Sequence, residues 1–137
     1  MALSAIMTTS ATTRGGRGGR AVVSGGGVAR AMALPELGGA EDGMKPEQPF
    51  AHGHSACFDE AMPVVATSHG VDGRAPRVTA GVMLDADDGG FAPSVGLMVQ
   101  IPGVDRATAG QVAHAAHEIC LYSEATRGTI PVTVTVV

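Results

Sequence analysis

Tryptophan is absent from this chain, and its 137 residues hold only one tyrosine and three phenylalanines. A core poor in aromatics must be filled by Val, Leu, Ala and Met, and the seven scattered methionines read as gap fillers. Basic residues are also few. Nine Lys and Arg against thirteen Asp and Glu leave a net charge of −4, which argues against an electrostatic footprint for nucleic acid. The Arg-Gly cluster at residues 14–20 is short and has no interleaved aromatics, so it makes a poor RNA-binding tail. No run reaches the ~18 apolar residues of a membrane span. Met1 to Ile6 is too short, and lacks the basic start, for a secretory signal. The expected setting is therefore cytoplasmic. Thiols are limited to Cys57 and Cys120. In a reducing compartment such a pair points to reactive thiols more than to a structural disulfide.

Glycine, by contrast, is plentiful, with 20 residues and a concentration between positions 15 and 43. The length predicts one domain over 1–137, with residues 1–13 either a strand or a frayed tail. Ala21-Val22-Val23, Val28-Ala29 and Met32-Ala33-Leu34, separated by Gly25 to Gly27, predict a hairpin within 20–34, followed by a loop over 35–45. A helix is expected from Pro46 to about Thr67. Pro46 suits a first helical position, Glu47 favours the positive end of the dipole, and Phe50, Cys57, Phe58, Ala61, Met62 and Val65 recur at helical spacing. Pro49 and Gly53 predict irregular first turns, and Pro63 a kink or an end.

Val78 to Leu84 and Val95 to Ile101 alternate as half-buried strands around an acidic turn from Asp85 to Gly90. Asp105 is a suitable N-cap for a second helix over 106–119. Ile130 to Val136 alternates as a last strand, with Pro131 at an edge or a strand start. The resulting class is α+β with a mainly antiparallel sheet.

Taken alone, a cysteine on an apolar helix face is usually an inert core residue. To act as a nucleophile it must ionise, and its pKa must fall below the free value of about 8.5. An apolar surrounding pushes the other way. Cys57 therefore needs a cation. Its own segment offers only His54 at i−3, and an arginine from elsewhere, charged at every relevant pH, is the better candidate.

Two blocks carry a resemblance. One is Pro46-Glu47-Gln48-Pro49-Phe50-Ala51-His52-Gly53-His54-Ser55-Ala56-Cys57-Phe58, and the other is Ala116-His117-Glu118-Ile119-Cys120-Leu121-Tyr122-Ser123-Glu124-Ala125-Thr126-Arg127-Gly128. Together with Gly15 to Arg20, Leu37-Gly38-Gly39, Leu97 to Gly103 and Arg127 to Val134, they resemble the organic hydroperoxide resistance proteins. Those form one branch of the family that includes the osmotically inducible protein C. The resemblance implies an intertwined homodimer of antiparallel sheets around two central helices. It also implies a thiol peroxidase acting on organic hydroperoxides. Cys57 would be the peroxidatic thiol and Cys120 the resolving one. Arg17 would lie against Cys57, held by Glu47, with Arg20 the competing assignment. No bound cofactor is implied. The reductant would be dihydrolipoamide or a lipoylated protein. Phe50, Phe58 and Met62 are candidates for an apolar peroxide pocket on residue type alone.

Glu47 and Cys57 are ten residues apart, about 15 Å along a straight helix. Both can serve one guanidinium only if the segment bends at Pro49 to Gly53 or a second subunit contributes. The chain also departs from the usual family segments. Lys45, Pro49, His52 and His54 replace other residues in the first block; Leu121, Glu124 and Thr129 replace Pro, Asn and Asn after Cys120. Pro49 bears on the helix, Lys45 on the partner of Glu47, and Leu121 on the backbone at Cys120. His52, His54, His114 and His117 raise a metal reading, but residues two apart on a helix face different ways and no carboxylate pattern beyond Glu118 supports it. Two alternatives stay open. One is the osmotically inducible branch, with a broader peroxide range. The other is a non-catalytic relative.

Overall fold

A computed structural model describes residues 11–14, 20–23, 29–31, 43–71 and 76–137. The chain divides into two compact units, Met1–Pro46 and Glu47–Val137. In the first unit, β1 (Ala11–Arg14), β2 (Arg20–Val23) and β3 (Ala29–Ala31) form an antiparallel sheet in the order β1-β2-β3. Ala21 pairs with Arg30 and Val22 with Ala29, so the hairpin expected in 20–34 forms. Residues 11–14 pair with β2 as a strand. Arg17 lies outside the described residues, and so does the side chain of Arg20.

The second unit opens with α1 (Glu47–Ala66) and a single 3-10 turn at Thr67–His69. The helix is continuous where irregular first turns were expected. Pro49 is its third residue, and the backbone N–H it lacks would have had no intrahelical acceptor there. Pro63 does not end the helix either. It denies the Asp59 carbonyl its i+4 donor, yet helix continues to Ala66. The buried face of Phe58, Ala61 and Met62 holds it down.

β4 (Arg77–Asp87) and β5 (Gly90–Gln100) form a long antiparallel hairpin with a two-residue turn, tighter than the acidic turn expected. α2 (Arg106–Ile119) starts and ends where its N-cap predicts: Asp105 accepts from the Thr108 N–H at 3.0 Å. A short helix not anticipated, α3 (Leu121–Thr126), follows, and then β6 (Val132–Val136). β6 pairs with β5 at the sheet edge, as Pro131 suggests. That pairing is parallel, because the connection from β5 passes through α2 and α3. The long β4-β5 hairpin keeps the sheet mainly antiparallel, with β6 as its parallel edge, and the class is α+β as expected.

One face of the β4-β5-β6 sheet carries Val95, Leu97 and Val99, fully buried, with Val78, Ala80, Val82, Val132, Val134 and Val136 around them. α1 packs on β4, and α2 on β6 and α1. Ala109, Val112, Ala113 and Ala116 give α2 a flat buried stripe. Small residues there let the helices approach closely, which is how a chain with so few aromatics closes its core. Among the described residues no helix is long and apolar enough to cross a membrane. Leu97 is 0% exposed at the centre of this core. Leu97→Ala is expected to cost about 3 kcal/mol in chemical denaturation, against less than about 0.5 kcal/mol for exposed Met83→Ala.

Candidate active site

Cys57 sits halfway along α1, on the face that buries His54, Phe58 and Ala61, and is itself half-buried. Cys120 is the single extended residue between α2 and α3, with φ −62° and ψ 125°. Its N–H closes α2 onto the Ala116 carbonyl at 2.8 Å, and its carbonyl accepts from the Glu124 N–H at 2.9 Å to open α3. That corner turns the buried Cys120 side chain toward α1. The two sulfurs lie 3.6 Å apart, both as free thiols. The Leu121 position forms a regular first residue of α3 without the family's proline.

Burial is the largest influence on Cys57 and pushes its thiol pKa up. The Tyr122 backbone N–H opposes this. Cys120 raises it again, first through its hydrogen bond to the Cys57 thiol and then through charge repulsion between the two sulfurs, and the Leu121 N–H lowers it. The net direction is upward. The helical corner alone therefore does not make Cys57 a strong nucleophile at neutral pH. Cys120→Ala removes the second ionising sulfur, so the pH profile of Cys57 alkylation is expected to move to lower pH. An upward move would contradict this electrostatic account.

Two histidines, His54 buried and His117 half-buried, share one hydroxyl on α3. His54 is 0% exposed, and its Nε2 lies 3.2 Å from the Ser123 hydroxyl of α3. His117 of α2 places Nδ1 2.8 Å from the same hydroxyl. Desolvation lowers the pKa of His54, with a further push from His117. His117 is lowered first by desolvation, then by Arg127 and His114, against a smaller opposing pull from Glu118. His54, the local cation considered for Cys57, is thus biased toward its neutral form by its own burial. Sequence reasoning did not find Ser123 as the bridge. The signal was present: each cysteine is preceded at i−3 by a histidine, His54 before Cys57 and His117 before Cys120.

Of the other sequence candidates, Phe58 and Met62 are core residues at 0% and 1% exposure, while Phe50 stands 36% exposed at the start of the same helix. Phe50 meets His54 edge-on at 6.2 Å between ring centres. Glu47 is the first residue of α1 and partly buried. No kink brings it toward Cys57 along the helix. Among the described residues, no three His, Cys, Asp or Glu side chains are grouped to hold a metal ion.

Both histidines bind fewer protons folded than unfolded. Their contribution is fully present above the unfolded value of about 6.5 and is lost as pH falls through it toward the lower folded values. Thermal stability is expected to fall on acidification from pH about 7.5 to about 5. His54→Gln, which cannot titrate, should show a shallower fall in calorimetry.

Residues 38–135 match the family model described as "OsmC-like protein". The organic hydroperoxide resistance protein of Xanthomonas axonopodis pv. citri (strain 306) is 42% identical over 135 residues, covering 95% of this chain and 94% of its own. Among solved structures, the organic hydroperoxide resistance protein OhrB of Bacillus subtilis superposes with a TM-score of 0.87 at 36% identity, over 97% of this chain and 100% of that one. An organic hydroperoxide resistance protein from Legionella pneumophila gives 0.86 at 36% identity, over 97% and 98%. With the match spanning both thiol blocks and nearly all of the second unit, this chain belongs to the OsmC-like protein family.

Proposed function

We propose that this protein is a thiol peroxidase that reduces organic hydroperoxides to alcohols. The observation that carries the reading is the 3.6 Å approach of Cys57 and Cys120, 63 residues apart in sequence. Two free thiols at that distance need only a small inward movement to close a bond of about 2.05 Å. The relatives named for organic hydroperoxide resistance supply the substrate class.

In the proposed cycle the Cys57 thiolate attacks the distal oxygen of ROOH. The O–O bond breaks, the alkoxide takes a proton to leave as ROH, and Cys57 becomes a sulfenic acid. The Cys120 thiol then attacks that sulfur. Water departs, and a Cys57–Cys120 disulfide remains. A dithiol, dihydrolipoamide or a lipoylated protein, returns both thiols by exchange: it gives up two electrons and two protons and leaves as its own disulfide. No bound cofactor takes part. The setting is the cytoplasm.

The raised pKa of Cys57 within the second unit supports the need for a cation from outside it. By family resemblance that cation is Arg17, held by Glu47. It lowers the thiolate pKa and stabilises negative charge on the departing alkoxide. The unbroken course of α1 supports a homodimer, since one straight helix holds Glu47 and Cys57 about 15 Å apart. Phe50 contributes the accessible apolar wall for the peroxide's organic group, with Phe58 and Met62 as its buried backing.

Consumption of cumene hydroperoxide with dihydrolipoamide tests the reading. Cys57→Ser is expected to abolish turnover, and Cys120→Ser to allow one oxidation without catalytic recycling by the dithiol. Arg17→Ala should slow the first step by about a hundredfold, while Arg20→Ala stays within about threefold. No turnover by the wild-type protein, with both thiols freely titratable, would defeat the proposal.

A further inference from the structure

The His54–Ser123–His117 chain is not required by the cycle above, yet it joins three helices at the resolving thiol. Ser123 has one hydroxyl proton and two histidine nitrogens beside it, at 3.2 and 2.8 Å. It can donate to only one of them and must accept from the other. Nδ1 of His54 is buried and has no hydrogen-bond partner among the described residues. If Ser123 donated to His54 Nε2, the His54 proton would sit on Nδ1 as a buried donor with no acceptor. In the reverse direction, His54 Nε2–H donates to Ser123 and Ser123 donates to His117 Nδ1. Only a bare lone pair is then left unpaired, and orphaned donors are the rarer and costlier case. Burial of His54 Nδ1 thus fixes the direction of the whole chain.

We propose that His54 is a positioning residue for Cys120: through Ser123 it pins the first turn of α3, and it does so only while His54 and His117 are neutral. Ser123 lies three residues after Cys120. It shares its turn with Leu121 and Tyr122, whose backbone N–H groups act on the Cys57 sulfur. Adding a proton to His117 makes Nδ1 a donor. The Ser123 hydroxyl must then turn to His54, whose own proton is driven to the unpartnered Nδ1. Adding one to His54 loads the same position. Either event loosens the pin, and Cys120 loses its fixed approach to Cys57. The inference rests on the disulfide cycle proposed above.

Among the described residues, the titratable groups facing this chain are few. Arg127 and His114 act on His117, opposed by Glu118, which pairs with His114 at 3.4 Å. On α3, Tyr122 sets its ring 6.0 Å from that of His54. Cys57 follows His54 on α1. His69, in the 3-10 turn packed on both long helices, is tied by Nδ1 to the Val65 carbonyl at 2.9 Å. On β4, Arg77 and Asp85 alternate with the core-facing Val78, Ala80 and Val82 and so take the opposite face of the sheet. β6 carries no charged residue. His54 stands where the usual family segment has another residue, so the pin is a feature of this chain.

The test is a single turnover. Reduced protein is mixed with one equivalent of cumene hydroperoxide, and the sulfenic acid and the disulfide are resolved by quenched-flow mass spectrometry from pH about 5 to about 8. His54→Phe and Ser123→Ala are expected to slow disulfide formation about tenfold at neutral pH, and the first oxidation by less. Wild-type disulfide formation should fall off below pH about 6. His54→Gln, whose amide can face Ser123 as donor or acceptor, should rescue the neutral rate and lose that acid fall. Wild-type resolving rates in folded Ser123→Ala, or an unchanged acid fall in His54→Gln, would overturn the pin. These two variants decide the matter even if His54→Phe fails to fold. A wild-type protein that consumes peroxide yet forms no disulfide would sink the disulfide cycle and the pin together. A disulfide formed at equal rates in wild type and variants would sink the pin alone.

Discussion

Gly53 lets the first turn of α3 settle onto α1. A Cβ at that position would lie 2.9 Å from the Tyr122 ring, closer than carbon atoms tolerate. In the same layer Cys120 reaches Cys57, the Leu121 and Tyr122 amides reach the same sulfur, and Ser123 reaches His54. A glycine in a helix interior costs roughly 1 kcal/mol in propensity. Here it leaves room for the Tyr122 ring, which a Cβ would force to shift.

That close approach brings an electrostatic conflict. The helical layer excludes water from Cys57 to build a core, and the same exclusion penalises the thiolate on which the chemistry relies. Two backbone amides oppose the penalty but do not reverse it. A peroxidatic role therefore calls for a positive charge beside the sulfur. The proposed arginine answers that need with a group that stays ionised wherever it is placed. The histidines beside the thiols answer a different need, since neutral imidazoles organise the corner without adding charge.

Comparison of sequence with structure shows where pattern reading succeeds. α2 was legible to the residue because Asp105 caps it and small apolar residues recur at helical spacing. β4 and β5 were legible from alternation. α3 was not, because six residues are too few for a periodic signal and its N-cap is a cysteine with no capping side-chain bond. Pro49 misled because its position within the helix, not its presence, decides the effect. The parallel pairing of β6 was hidden because strand patterns record which face is buried, not which way a neighbour runs.

The sequence by itself determined the family, the α+β class, the two thiols and the order of the elements other than α3, since these follow from local residue types and their spacing. Only the tertiary structure decided that the thiols meet, that burial raises the Cys57 pKa, and that one serine joins two histidines beneath them. Those outcomes depend on distances between α1, α2 and α3. Such distances are set by long-range packing of small side chains, which no local pattern encodes.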